Sequence, residues 1–131
     1  MPLYRCNVTP GLASYEQRSR IAKEVTRIHC EVTGAPAIFV HTFFADDREG
    51  RLPPGKRAFL LGSIRAGRSP EQKTRIASEM SSALASVLGV SPGEVAVVTA
   101  DVPARWVMEG RSVMPEPGDE AAWLAKQGQS A

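Results

Sequence analysis

Cysteine is scarce in this sequence, with Cys6 and Cys30 the only two among 131 residues. Cys6 lies in a predicted strand and Cys30 in a predicted helix, a setting typical of two buried thiols in a reducing compartment rather than of a disulfide. Histidine is equally rare, and no Cys, His and Asp residues have the spacing of metal ligands. We therefore expect neither a metal site nor a bound cofactor.

Long apolar runs and strong net charge are missing as well. No stretch approaches the roughly 20 apolar residues that span a bilayer, and the chain does not begin as a signal peptide does. A net charge of +2 without a basic run does not indicate nucleic-acid binding. We expect a cytoplasmic protein with neither a membrane nor a nucleic-acid partner. Its 43% apolar residues suffice for the core of a single domain.

An internal repeat organises the chain. The segment YEQRSRIAKEV at residues 15–25 reappears as PEQKTRIASEM at residues 70–80, and Gly34 and Gly89 keep the same offset. In both copies, apolar residues three and four apart predict an amphipathic helix that ends at this glycine. A short apolar run precedes each helix and another follows it, which indicates two β-α-β units. These runs are residues 3–8, 37–44, 58–64 and 94–102.

The predicted fold class is α/β (α+β), with two tandem β-α-β units forming a four-stranded sheet and two helices on one face. We expect repeat 1 at about residues 2–45, a polar linker at 46–57, repeat 2 at about 58–102, and a C-terminal segment at 103–131 that includes a short helix after Pro117. Runs such as VAVVTADV are too apolar for a sheet face left in water. The uncovered face should therefore bury against other subunits.

Three features are candidates for chemistry. His29 falls opposite Leu84 of the second copy, and it is either a buried histidine bonded to backbone or a general acid/base or orienting donor. Arg65 and Arg68 precede a helix N-terminus, where two guanidinium groups form a good carboxylate or phosphate site, although solvated arginines are commoner for an isolated RxxR. Glu109 stands among apolar residues and is either exposed or partly desolvated, with a raised pKa that suits a base.

The chain begins Met-Pro, and a methionine in front of proline is normally removed. The first atom would then be the secondary amine of Pro2, which is either an ordinary terminus or a reagent. If burial and nearby cations keep this amine neutral it is a base, and if it stays protonated it is an acid. The proline ring also fixes the direction of the nitrogen.

Together and in this order, these residues resemble the tautomerase superfamily, and within it the branch of cis-3-chloroacrylic acid dehalogenase. TRIHCEVTG at residues 26–34 resembles the histidine-bearing helix end of that branch, and IRAGRS at 64–69 resembles its double-arginine turn. VMEGRSVMPEPGDEAAWL at 107–124 resembles its glutamate segment and closing pattern. The resemblance extends from Pro2 to about Leu124 and implies a homotrimer.

The resemblance also implies roles for the candidate residues. The proline would donate or accept a proton, the two arginines would bind and polarise a substrate carboxylate, and the histidine and glutamate would hold and activate water. The implied site residues are Pro2, His29, Arg65, Arg68 and Glu109.

One position departs from the dehalogenase pattern, which has a tyrosine on the fourth strand where this chain has Val98. The side chain of valine cannot form a hydrogen bond, so we expect dehalogenation to be slow. The resulting hypothesis is an enzyme that acts on small 2-oxo or unsaturated carboxylates, by keto–enol tautomerisation or by water addition. The alternative is a non-catalytic trimer whose arginines bind a carboxylate metabolite.

Overall fold

The computed structural model describes residues 1–129, and its elements follow the predicted repeat. None of the helices in this range is long and apolar enough to cross a membrane. The strands are β1 (Leu3–Val8), β2 (His41–Asp46), β3 (Ala58–Arg65), β4 (Val95–Val102), β5 (Met108–Glu109) and β6 (Ser112–Val113), and the α-helices are α1 (Tyr15–Thr33), α2 (Pro70–Leu88) and α3 (Glu120–Gln129).

Four of the strands form one mixed sheet in the order β2-β1-β3-β4. The two strands of each copy pair in parallel, β1 with β2 and β3 with β4. β1 and β3 pair antiparallel and join the copies. The predicted four-stranded sheet with two helices on one face is therefore confirmed. The antiparallel join places the start of β1 beside the end of β3.

The second strand of each copy begins later than predicted. Residues 37–39 form a single 3-10 turn after Pro36, so β2 begins only at His41. In the second copy, residues 92–94 form the equivalent turn and β4 begins at Val95. Each turn begins at or directly after a proline, whose fixed φ suits a turn and whose nitrogen gives no ladder hydrogen bond.

A repeated Ser-x-x-Gln motif explains why the two copies are alike at the helix N-termini. Ser14 and Gln17 form a capping box at α1, and Ser69 and Gln72 form the same box at α2. Each glutamine amide also donates to a carbonyl in the last turns of the other helix, at 3.2 and 3.1 Å. The motif therefore begins each helix and also fixes the two helices antiparallel to one another.

The helices bury one face of the sheet and leave the other uncovered. Under the helices, apolar side chains of all four strands join one core that includes the fully buried Tyr4. On the opposite face, Phe43, Arg5, Leu61 and Val98 occupy one row across the sheet. Phe43 and Val98 are 43% and 46% exposed, so an apolar surface faces outward in the single chain.

Gly62 of β3 makes room for the ring of Tyr4, its partner in β1. A Cβ at Gly62 would lie 2.8 Å from Cδ1 of that ring and closer still to Cε1. We expect Gly62→Ala to lower the free energy of unfolding by about 1–3 kcal/mol, because the buried ring would have to leave its position. Urea denaturation measures the change. Gly93→Ala is the control, since a Cβ there would meet only Ser91 Oγ, at 3.9 Å. Equal losses in the two variants would contradict the prediction.

Candidate active site

One end of the sheet brings together the start of β1, the end of β3 and the C-terminal part of α1. Arg65 is the last residue of β3, Arg68 lies just before the N-cap of α2, and His29 lies in the penultimate turn of α1. The N-terminal amine interacts electrostatically with Glu109 and Arg65, and His29 with both arginines. The structure therefore places Pro2 and the four other predicted site residues in one neighbourhood.

The N-terminus lies inside this neighbourhood rather than in solvent. Pro2 is buried, and its carbonyl accepts a hydrogen bond from the amide of His41 at 3.0 Å. The described chain carries Met1, so the free amine is that of Met1. It donates to the carbonyl of Phe39 at 2.9 Å and lies 3.5 Å from Oε1 of Glu109. Burial lowers the pKa of this amine, the charge of Glu109 opposes the change, and nearby cationic charge adds to it.

The side chain of Met1 fills an apolar space at the same place. It is 9% exposed and packs against a small cluster formed by Phe39, Ala104 and Met114. This cluster is separate from the main core under the two helices. The apolar space that Met1 fills, which is about the size of one side chain, therefore adjoins the nitrogen of Pro2.

His29 is 1% exposed, and its ring bonds to a side chain rather than to backbone. Nδ1 lies 2.8 Å from the hydroxyl of Tyr4. Burial lowers the pKa of His29 to about 3, and the charges of Arg68 and Arg65 and of the amine act in the same direction. The imidazole is therefore neutral at physiological pH. Nε2 is buried and has no hydrogen-bond partner among the described residues.

Arg65 is held by the protein itself. The side chain is 1% exposed; Nη1 donates to the carbonyl of Pro115 at 2.7 Å and Nη2 to Oε1 of Glu120 at 2.8 Å. The guanidinium carbon also lies 5.3 Å from the centre of the Phe39 ring. The alternative of a solvated surface arginine is excluded for Arg65. Only Nε lacks a partner within residues 1–129.

Arg68 is less constrained than its neighbour. Its one direct hydrogen bond within the described residues is a long one, from Nη1 to the carbonyl of Thr33 at 3.4 Å, and its buried Nε has none. Burial lowers the pKa of Arg68, and the charge of Arg65 lowers it further. Arg68 is thus the member of the pair with more hydrogen-bonding capacity left for a ligand.

Glu109 lies on the β5–β6 hairpin with 32% of its side chain exposed. Oε1 accepts from Nε2 of His41 at 3.1 Å and faces the amine of Met1. Burial alone would raise the pKa of this carboxyl, but the His41 hydrogen bond and the charge of the amine outweigh it and lower the pKa. Glu109 is therefore ionised near neutral pH, contrary to the reading in which desolvation leaves it with a raised pKa.

Three residues of the neighbourhood were missed by reasoning from sequence. Tyr4 shows only as one apolar position in the alternation of β1, and His41 stands alone on its strand. Glu120 shows only as an acidic residue in the first turn of a short helix. No local signal distinguishes them, because each is identified by a partner far away in the chain. Among the described residues, no three His, Cys, Asp or Glu side chains form a group that could hold a metal ion.

Val98 is not part of this neighbourhood in the single chain. It lies on the uncovered face of the sheet, 46% exposed and opposite Leu61. His29 and Tyr4 lie on the helical side, where Tyr4 belongs to the main core. A side chain at the Val98 position could therefore reach such a site only from a neighbouring subunit.

The sequence matches one known protein family over nearly its whole length. The profile of the family described as "Putative oxalocrotonate tautomerase enzyme" matches residues 1–128. No curated protein matches the chain.

Solved structures share the fold. The structure of N1, a member of the cis-3-chloroacrylic acid dehalogenase family, has a TM-score of 0.90 and 32% sequence identity, over 98% of this chain and 94% of that chain. An asymmetric trimer of wild-type fused 4-OT has a TM-score of 0.74 and 21% identity, over 86% and 95%. FG41 malonate semialdehyde decarboxylase, inhibited by 3-bromopropiolate, has a TM-score of 0.72 and 22% identity, over 95% and 98%. The last two likenesses concern the fold alone.

Proposed function

The chain belongs to the oxalocrotonate tautomerase family, and on that basis we propose an enzyme that uses the nitrogen of Pro2 for acid–base chemistry on small 2-oxo or unsaturated carboxylates. Members of the tautomerase superfamily are enzymes, which favours catalysis over simple binding. The proposed chemistry requires three features of the site: groups that bind a carboxylate, a free amine at Pro2, and a group that orients and deprotonates water.

The observation that carries the proposal is a set of buried side-chain nitrogens without partners. Nε of Arg65, Nε of Arg68 and Nε2 of His29 are all buried and unbonded within residues 1–129. Leaving such groups unsatisfied costs about 1–3 kcal/mol each, and more when they are charged. An anionic oxygen ligand would relieve that cost, and a carboxylate has the acceptor geometry that guanidinium groups prefer. This is the support for a carboxylate substrate at Arg65 and Arg68.

The nitrogen of Pro2 becomes a reagent once Met1 is removed. It would then lie close to the position of the present amine, in surroundings where burial and Arg65 already favour the uncharged form. A neutral secondary amine near pH 7 is a base. Removal of Met1 also opens the apolar space beside Phe39 and Met114. A carboxylate with a small apolar tail fits that combination of cations and apolar wall.

Tautomerisation is the first chemistry we assign to this site. Pro2 would take the enol proton from oxygen and return it to carbon, giving the keto acid, while the cations hold the carboxylate. Water addition to a cis-3-haloacrylate or an acetylenic acid is the second. The ionised Glu109 supports it as the group that orients and deprotonates water. Val98 in place of a tyrosine makes this second reaction the slower one.

We further propose that the enzyme is a homotrimer. The sheet face that carries Phe43, Leu61 and Val98 is apolar and uncovered in one chain, and burial against neighbouring subunits would remove it from water. The fused 4-OT of the same fold forms a trimer. In such an assembly, residues of one sheet face could complete the site of the next subunit.

A pH–rate profile on a panel of enol, haloacrylic and acetylenic acids tests the proposed function. A kcat/KM limb that rises with pH is expected for tautomerisation, because Pro2 must be neutral to act as a base. Intact-mass spectrometry on the same sample reports whether Met1 has been removed. If calorimetry shows that these acids bind but no acid is turned over, the non-catalytic carboxylate-binding trimer is the correct alternative.

A further inference from the structure

A fully buried pair, Tyr4 and His29, lies between the start of β1 and the end of α1. The Tyr4 hydroxyl is 2.8 Å from Nδ1 of His29, and the two rings pack edge to face with centroids 5.7 Å apart. The ring of Tyr4 fits there because Gly62 has no side chain. A Cβ at Gly62 would lie 2.8 Å from Cδ1 of the ring. Tyr4 lies in β1, two residues after Pro2, so the pair links the position of the imidazole to that of the nitrogen.

The direction of the Tyr4–His29 hydrogen bond follows from the protonation states of both groups. Burial raises the pKa of Tyr4 well above its usual value, with smaller effects of Arg68 and Cys30, so the phenol keeps its proton. His29 is neutral and carries one ring proton. The Tyr4 hydroxyl has no other hydrogen-bond partner in the described part of the chain. If the phenol accepted from Nδ1, its own proton would be buried without an acceptor, at a cost of about 1–3 kcal/mol. Donation from Tyr4 to Nδ1 leaves only the Nε2 N–H without a partner, whereas the reverse direction leaves both the phenol proton and the Nε2 lone pair unpaired.

We propose that Tyr4 is a positioning residue that holds His29 in the tautomer protonated at Nε2, so that His29 offers the substrate a hydrogen-bond donor rather than a base. This rests on the proposed function, in which a carboxylate lies beside the two arginines. Nε2 is the buried ring nitrogen without a partner within residues 1–129. Its N–H is thus a third donor, beside the two arginine Nε groups, for an oxygen of the same ligand.

The tautomer held by Tyr4 bears on the roles of His29 and Glu109. The resemblance gives His29 and Glu109 a joint role in activating water. With Nε2 protonated and Nδ1 engaged by Tyr4, His29 has no free lone pair with which to take a proton. The ionised Glu109, whose Oε1 faces the N-terminal amine, keeps that role.

Nitrogen-15 NMR of the two histidines tests the tautomer without any substrate. The chain has only two histidines, so His41→Asn assigns the His29 signals. The expected wild-type spectrum shows a protonated Nε2 and an unprotonated, hydrogen-bonded Nδ1, unchanged between pH 5 and 8. The charged and titratable groups that face the pair in this measurement are Arg65, Arg68, Cys30 and the N-terminal amine. A proton found on Nδ1 of the wild-type protein overturns the proposal, whether or not any variant folds.

Tyr4→Phe then removes the hydroxyl and keeps the ring over Gly62. Both His29 nitrogen signals should shift as the Nδ1–H tautomer becomes populated, and kcat/KM on a carboxylate substrate should fall by about tenfold to a hundredfold, the factor for one hydrogen bond to a charged group. The control is Tyr15→Phe, since Tyr15 is 78% exposed. Unchanged His29 signals in Tyr4→Phe overturn the positioning role. If no acid is turned over by the wild type, the proposed function fails, while the spectra still decide the role of Tyr4.

Discussion

Pro2→Ala is expected to lower kcat on every acid that the protein turns over, by up to about 10²–10⁴-fold, the usual contribution of a general acid or base. Alanine after methionine still leaves an amine at the same place, so the loss comes from the weaker base and from the freedom of its rotation. The cyclic secondary amine of proline keeps its lone pair in one direction. Steady-state kinetics at several pH values measure the effect.

Two controls keep the Pro2 prediction specific. Intact-mass spectrometry must show that Met1 is removed equally from the variant and the wild type, and sedimentation must show the same assembly. Pro10→Ala is the matched substitution, because Pro10 is an exposed proline in the turn after β1 and lies outside the site. A Pro2→Ala enzyme with wild-type kcat would show that the cyclic secondary amine of proline is not needed for the reaction.

Arg65→Ala is expected to lower the free energy of unfolding by about 3–5 kcal/mol, the cost of removing one partner of a buried ion pair. The substitution leaves the carboxylate of Glu120, which is 14% exposed, without its counter-charge. It also removes the donor to the carbonyl of Pro115 and the cation over Phe39. Urea denaturation measures the loss, and activity alone would not separate it from a binding role.

Arg68→Ala is the control for Arg65, because Arg68 makes only one long hydrogen bond. The free energy of unfolding of the Arg68→Ala variant should change by less than about 1 kcal/mol. Its kcat/KM should fall by about tenfold to a hundredfold, because the contact with the substrate carboxylate is lost. If Arg65→Ala were as stable as Arg68→Ala, Arg65 would not be the structural member of the pair.

The Arg65–Glu120 pair also predicts a pH dependence. Burial alone would raise the pKa of the Glu120 carboxyl, but its hydrogen bonds to Arg65 and to nearby amides lower the pKa below its usual value. A carboxyl whose pKa is lower in the folded state than in the unfolded state stabilises the fold at pH values above the unfolded-state pKa. This stabilisation is lost as the pH falls through the folded-state pKa. Acid denaturation should therefore be less steep in Glu120→Gln than in the wild type, and an unchanged slope would contradict the assignment.

The repeat made the fold predictable. The apolar spacing of the two helices and their terminal glycines are local signals, and both helices form and end at those glycines as expected. The starts of β2 and β4 were placed too early, because an apolar run does not reveal a single turn at its head. Comparison of the two copies identified His29, because its position opposite Leu84 stands out only against that background.

The amino-acid sequence by itself determined the order of strands and helices and the positions of the unusual residues, since these follow from periodicity and from signals a few residues long. Only the tertiary structure decided what each of those residues touches. Tyr4 and His29 are 25 residues apart, Arg65 and Glu120 are 55, and His41 and Glu109 are 68. Protonation and hydrogen bonding depend on distance and burial, which no spacing along the chain encodes.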